Sequence, residues 1–172
     1  MVVFDLQRII FRKLEQADNL AAFNCDIDDD GGCNDFIHND NEAKQYQKEK
    51  HGITYLFFYE NAMVGYITLA MSSIHALRLG DEEEEIALPF YPCLFIGRLA
   101  VDNEWRHNDI GMYLANWATG LALELSEQIG CRYVVLEAKE SKVRFYKQIG
   151  FKNGASLFTD KRVWLYKKLV SE

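Results

Sequence analysis

The longest periodic run in the chain begins at Ile110. Ile110, Tyr113, Leu114, Trp117, Leu121, Leu125 and Ile129 recur at three- and four-residue steps, the spacing that lines one face of an α-helix. Strand-type runs flank it. Ile53–Tyr59 and Met63–Ser73 are rich in Ile, Tyr, Phe and Val and are parted only by Glu60-Asn61-Ala62, which predicts a β-hairpin. Leu94–Val101 and Tyr133–Glu137 read as further strands, and a last one is expected over Arg162–Leu169. Ser141–Gln148 predicts a short helix that Gly150 ends. Near the N-terminus, Ile9–Leu14 reads as a first strand. Asp35–Lys50 is polar apart from Phe36, Ile37, Ala43 and Tyr46, which suits a helix lying on a surface. Residues 80–92 hold both prolines, Pro89 and Pro92, and are expected to form a loop. A hairpin followed by strand–helix–strand–helix–strand predicts a mixed α/β sheet covered by helices.

Composition narrows this picture. At 172 residues the expectation is one domain, 1–172. No stretch nears the roughly 18 consecutive apolar residues of a membrane span, and MVVFDLQRIIFRKLE lacks the basic-then-apolar order of a signal peptide. Cys25, Cys33, Cys93 and Cys131 form no C-x-x-C pair, so neither a zinc site nor a disulfide framework is expected. These features point to a soluble cytoplasmic protein without a membrane partner. The net charge of −7 argues against wholesale binding to nucleic acid, and no DNA partner is expected. The charge is uneven, however. Residues 1–130 hold nine Lys/Arg against 22 Asp/Glu, a net −13, whereas residues 131–172 hold ten against four, a net +6. That basic quarter is either a set of solvated helix and strand faces or the mark of a phosphate-bearing ligand.

Two motifs suggest chemistry. Asp26-Ile27-Asp28-Asp29-Asp30-Gly31 matches the first six positions of an EF-hand calcium loop. The twelfth position, which must supply a bidentate Glu, is Ile37. A solvated acidic loop is the better reading, and no metal site is expected. The second motif is Arg106-His107-Asn108-Asp109-Ile110-Gly111, between the strand ending at Val101 and the long helix. Backbone N–H groups converge at such a helix start, its dipole is positive there, and glycine admits close approach, so it suits a pyrophosphate.

This stretch resembles the Gcn5-related N-acetyltransferase (GNAT) superfamily, whose acyl-CoA loop reads R/Q-x-x-G-x-G/A, with Arg106 and Gly111 on its first and last positions. Arg144-Phe145-Tyr146-Lys147-Gln148-Ile149-Gly150-Phe151 is similar to the superfamily's F-Y-x-x-x-G-F signature. Gly97-Arg98-Leu99-Ala100-Val101, with Phe23-Asn24-Cys25 and Asp35-Phe36-Ile37, resembles the toxin-type branch that includes the TacT proteins. The resemblance implies a mixed, mostly antiparallel sheet of six or seven strands, with splayed central parallel strands and about four helices. It implies acetyl-CoA as cosubstrate, bound by Leu99, Ala100, Val101, Arg106, His107, Asn108, Asp109, Ile110, Gly111, Met112, Lys139 and Phe145. A backbone N–H near Leu99 or Ala100 would polarise the thioester carbonyl. Tyr146, a phenol with an ordinary pKa near 10, would protonate the departing thiolate after direct attack by an amine; the alternative is an aromatic packing residue at a helix end.

The sequence departs from the family pattern at three points. Asp109 replaces the first glycine of the loop; at about 5 Å and an effective dielectric of about 20, its repulsion of a phosphate approaches 3 kcal/mol. A site so weakened would leave a non-catalytic binding protein on the same fold. Lys139 stands where many relatives carry Asn, and strand 94–101 offers no Glu as general base. The acceptor expected is a primary amine. Aminoacyl-tRNA is the alternative acceptor, through Lys139, Lys142, Arg144, Lys147, Lys161 and Arg162, opposed by the acidic runs Asp26–Asp30 and Asp81–Glu85. The acidic run 81–85 is either a solvated loop tip or a lure for a cationic amine. A homodimer is compatible with the resemblance.

Overall fold

The computed structural model of the protein describes residues 4–27, 32–39, 42–156 and 162–170. Seven strands follow the hydrogen-bonded order β1-β2-β3-β4-β5-β7-β6. They are β1 (Ile10–Lys13), β2 (Ile53–Tyr59), β3 (Ala62–His75), β4 (Phe90–Val101), β5 (Tyr133–Ala138), β6 (Lys152–Asn153) and β7 (Val163–Lys168). The helices are α1 (Cys33–His38), α2 (Glu42–Lys48), α3 (Ile110–Ser126) and α4 (Glu140–Gln148). The β1–β2, β2–β3, β5–β7 and β6–β7 pairs are antiparallel, and β4–β5 is parallel. The chain divides into two compact units, Met1–Leu69 with Gly97–Ala115 and Ala70–Ile96 with Asn116–Glu172. Strands β3 and β4 contribute to both.

In the first unit, side-chain alternation sorts residues between the two faces of the sheet. Leu56, Tyr66 and Ala100 share a buried cluster with Phe23, Phe36, Ile37 and Ala43, so this face carries α1 and α2. Phe57 points the other way, edge-on to Tyr113 of α3 at 6.3 Å. The segment expected as one surface helix over Asp35–Lys50 is therefore two helices, each with a face in the core. Asn39 ends α1 by turning to extended backbone (φ −74°, ψ 123°). Strand β3 passes close to β4 at Gly65, where an added Cβ would meet the Ala100 carbonyl oxygen at 2.8 Å and Leu114 Cδ2 at 3.2 Å.

In the second unit, Ile74, Leu79, Tyr91, Cys93, Tyr133, Val135 and Tyr166 form the core. Strand β4 begins at Phe90, four residues before the expected start, and includes Pro92. A proline is tolerated where its missing N–H is not needed, and here the Pro92 carbonyl accepts from the Arg132 N–H at 2.8 Å. Along α3 the buried residues are Ile110, Leu114, Ala115, Ala118 and Ala122, while Trp117, Leu121 and Leu125 are half-buried and Ile129 lies beyond the helix end.

In the acidic loop after β3, Asp81, Glu83 and Glu85 are exposed while Glu82 and Glu84 are held by basic partners. Arg132 donates its Nε to Glu84 Oε1 at 3.0 Å and its Nη2 to Oε2 at 2.9 Å, and Tyr133 donates its hydroxyl to the same carboxylate. Glu82 pairs with Lys152 at 2.7 Å and with Lys168 at 3.4 Å. Four acid–base partners from residues 131–172 are thereby engaged internally. The Arg132 fork holds the Glu84 carboxyl at about 2, well below the usual carboxylate range.

Two outcomes test this packing. Gly65→Ala should lower the unfolding free energy by about 1–3 kcal/mol, the usual cost of overpacking, because the clashing atom is backbone; urea titration measures it. Glu84→Gln should cost on the order of 1–2 kcal/mol at neutral pH, since half-exposed Arg132 is partly screened by solvent. A depressed carboxyl stabilises above its unfolded pKa near 4.3 and loses that contribution as pH falls towards 2. The gap between variant and wild type should therefore close between pH 4.5 and pH 2 in thermal melts.

Candidate active site

The first unit carries the end of β4 and the loop that enters α3. The Asp102 N–H donates to the Val64 carbonyl at 3.0 Å, and the Ala100 carbonyl faces Gly65 of β3. N–H and C=O groups alternate sides along a strand, so those of Leu99 and Val101 point away from β3. Ala100 is buried, and Leu99 and Val101 are half-buried. The parallel register of β4 with β5 runs from Cys93↔Tyr133 to Ile96↔Leu136 and ends there, while β4 continues to Val101.

Asp102 is a buried acid that sequence reasoning missed. Its two oxygens accept from the Asn24 N–H at 2.8 Å and the Glu104 N–H at 2.9 Å, so it caps the 3-10 turn Asn103–Trp105 and anchors the segment around Asn24. Asn103 completes the link: its N–H donates to the Asn24 carbonyl at 2.7 Å and its amide to Asp26 at 2.7 Å. An Asp-Asn pair directly after a strand is a capping signal that was legible. Phe23, Cys25, Phe36 and Ile37, the residues behind the toxin-type resemblance, are core residues. Ile37 at the twelfth calcium-loop position is buried, and Asp28 to Gly31 lie outside the described residues. Among the described residues no group of His, Cys, Asp and Glu is placed to hold a metal ion.

The loop itself is tightly shaped. The Arg106 guanidinium donates to the Ile27 carbonyl. The Asn108 amide donates to the Trp105 carbonyl at 3.1 Å and the Arg106 carbonyl at 3.3 Å. His107 (φ 65°) and Asp109 (φ 58°) both have left-handed backbone. At Asp109 this is the conformation that glycine adopts freely and that Asp tolerates better than most residues. Its carbonyl accepts the Tyr113 N–H at 2.9 Å, the first bond of α3. Its side chain is exposed, Ile110 is buried, and Gly111 and Met112 are half-buried.

The second unit carries Lys139, Phe145 and Tyr146. Lys139 precedes α4 as its N-cap, accepting the Lys142 N–H at 2.9 Å. The end of α4 is a Schellman motif. The Phe151 N–H donates to the Tyr146 carbonyl at 3.1 Å, the Gly150 N–H donates to the Lys147 carbonyl at 3.1 Å, and Gly150 is left-handed at φ 91°. The apolar contact that accompanies this motif is Tyr146 against Phe151, with ring centroids 5.7 Å apart. Phe145 meets Tyr146 edge-on at 4.9 Å. The spacing F-Y-x-x-x-G-F is thus a helix-ending device that fixes the tyrosine. Burial pushes the Cys93 thiol up to about 12 and raises that of Cys131, so both stay protonated.

The comparisons bear on this arrangement. A structure described as a bacterial toxin superposes with a TM-score of 0.81 at 11% identity, covering 93% of this chain and 90% of that one. A tyrosine-to-phenylalanine variant of KacT gives 0.78 at 19%, covering 92% and 94%. AtaT complexed with acetyl-methionyl-tRNAfMet gives 0.76 at 20%, covering 91% and 93%, and AtaT has also been solved with acetyl-CoA and the C-terminus of the antitoxin AtaR. At these identities the likeness is one of fold. No curated protein sequence matches the chain. The family model of the acetyltransferase (GNAT) domain matches residues 50–153, more than half the chain and the span that holds the β4 end, the α3 entry loop and the Tyr146 signature. With the seven-stranded fold, this match means that the chain belongs to the acetyltransferase (GNAT) family.

Proposed function

We propose that residues 1–172 work as one N-acetyltransferase domain that moves an acetyl group from acetyl-CoA to a primary amine. The observation that carries this is the backbone of the α3 entry loop: left-handed φ at 107 and 109 where the family motif carries its loop, leading directly into a 17-residue helix. The N–H groups of Ile110, Gly111 and Met112 at that helix start suit a pyrophosphate. Arg106, His107 and Asn108 shape the approach, and Lys139 and Phe145 would contact the rest of the cosubstrate. The exposed Asp109 carboxylate weakens the fit without closing the loop, because solvent screens it.

For the reaction, the Leu99 N–H, pointing away from β3, is the better oxyanion donor than Ala100, whose polar groups face β3; Val101 extends the same edge. The amine nitrogen attacks the thioester carbon, the carbon–sulfur bond breaks, and Tyr146 passes its hydroxyl proton to the sulfur. The amine proton leaves to solvent. Protonated Cys93 and Cys131 agree with direct attack rather than an acyl-cysteine intermediate.

Aminoacyl-tRNA is a second reading of the acceptor. It is favoured by AtaT, solved with an acetylated methionyl-tRNA, and by exposed Arg144 and Lys147 on α4. The pairing of Lys152, Lys168 and Arg132 with the 81–85 loop removes much of the apparent +6 surface, and Lys161 lies outside the described residues.

Titration calorimetry with CoA should show saturable binding, and its absence at millimolar ligand would overturn the proposal. Asp109→Gly should tighten CoA by up to about tenfold, as a screened charge is removed and backbone strain relieved. Tyr146→Phe should lower kcat about a hundredfold while leaving the KM for acetyl-CoA within twofold; an unchanged kcat would remove the proton-donor role. Acetylation of charged tRNA with a steep salt dependence would select the second acceptor.

A further inference from the structure

Arg98 stands one residue before Leu99 and projects from the opposite face of β4, the face that also carries Ala100 and the α1–α2 core. Its guanidinium carbon lies 3.7 Å from the centroid of the Phe36 ring and 5.9 Å from that of Tyr46. Phe36 in turn meets Tyr46 edge-on at 5.7 Å and stacks with Tyr66 at 6.4 Å. The Arg98 Nε is buried and has no hydrogen-bond partner among the described residues. The side chain makes no ion pair among them either.

A half-buried guanidinium without a carboxylate is costly, and the cation–π contact with Phe36 offsets only part of the cost. Aromatic platforms also leave the planar edge of the guanidinium, with its fork of N–H donors, undirected to any protein group among the described residues. The ligand that complements such a fork is an oxyanion, a carboxylate or a phosphate, accepted by two parallel N–H bonds. Adjacent Cα atoms are 3.8 Å apart, so the side chain that carries this fork leaves the backbone one residue before the one whose N–H is assigned to the thioester.

We propose that Arg98 binds an oxyanion of the acceptor, so that the substrate is an amine bearing a carboxylate or phosphate a few bonds away, not a polyamine. This deepens the acetyl-CoA reading above and rests on it for the placement of the amine. Phe36 and Tyr46 hold the guanidinium in plane and are positioning residues.

The test is calorimetry of the whole protein, with and without CoA, against two pairs of amines that differ by one anionic group: puromycin and its 5′-phosphate, and methioninamide and methionine. Spermidine serves as the cationic control. In wild type the member of one pair that carries the extra anionic group should bind at least tenfold tighter than the member without it. The phosphate pair would identify a nucleotide-linked acceptor and the carboxylate pair a free amino acid. Arg98→Gln should abolish the preference and leave CoA affinity within twofold, which also shows that the variant is folded; Arg98→Lys, which keeps charge without the fork, should be intermediate. Equal affinities within both pairs in wild type, a preference for spermidine, or a preference that survives in Arg98→Gln would overturn the proposal. Failure of wild type to bind CoA would instead count against the acetyl-CoA reading, since the acceptor pairs are compared without it.

Discussion

The close approach of β3 to β4 at Gly65 is the constraint on which the candidate chemistry depends. With no side chain at Gly65, the Ala100 carbonyl oxygen can lie 2.8 Å from where a Cβ would stand, and the Asp102 N–H can reach Val64. That seats the last residues of β4 and thereby decides which of their polar groups are used up. Ala100 spends its backbone on β3; Leu99 and Val101 keep theirs for the other edge. Asp102 then continues the same seat into the loop by capping the turn 103–105 and tying down Asn24. The Arg106 loop is held at both ends, by Asp102 on one side and by the first turn of α3 on the other.

The second unit meets a different demand, the placement of a phenol at a helix end. Tyr146 is the third residue from the end of α4, where its carbonyl closes the Schellman motif and its ring packs on Phe151. Gly150 supplies the left-handed turn that makes both contacts compatible. The same few residues terminate the helix and orient the side chain, so a substitution at Gly150 or Phe151 acts on the placement of Tyr146.

Part of the charge in this protein is settled within the fold. The acidic run after β3 and the basic C-terminal quarter look like opposing surfaces in the chain, yet Glu82 and Glu84 bind Lys152, Lys168, Arg132 and Tyr133. Arg98 differs from these paired cations, with rings rather than a carboxylate beside its guanidinium. A cation kept in that setting is informative because the described residues repay its desolvation only in part, through the Phe36 ring.

What the sequence determined by itself was everything written in local spacing. The β2–β3 hairpin, the start of α3 at Ile110 and the end of α4 at Gly150 lie within a residue or two of expectation, because periodicity and a left-handed glycine act over a few residues. The family signature was legible for the same reason. Tertiary structure alone decided the rest. The segment 35–50 became two helices, with Phe36, Ile37 and Ala43 drawn into one core, and β4 extends back to Phe90, where the Pro92 carbonyl accepts from the Arg132 N–H 40 positions away. The Glu84 fork spans 48 residues, Asp102 reaches Asn24 across 78, and Arg98 meets its rings on α1 and α2. Such contacts join residues with no shared periodicity, and their partners are set only when burial and strand register bring distant segments together.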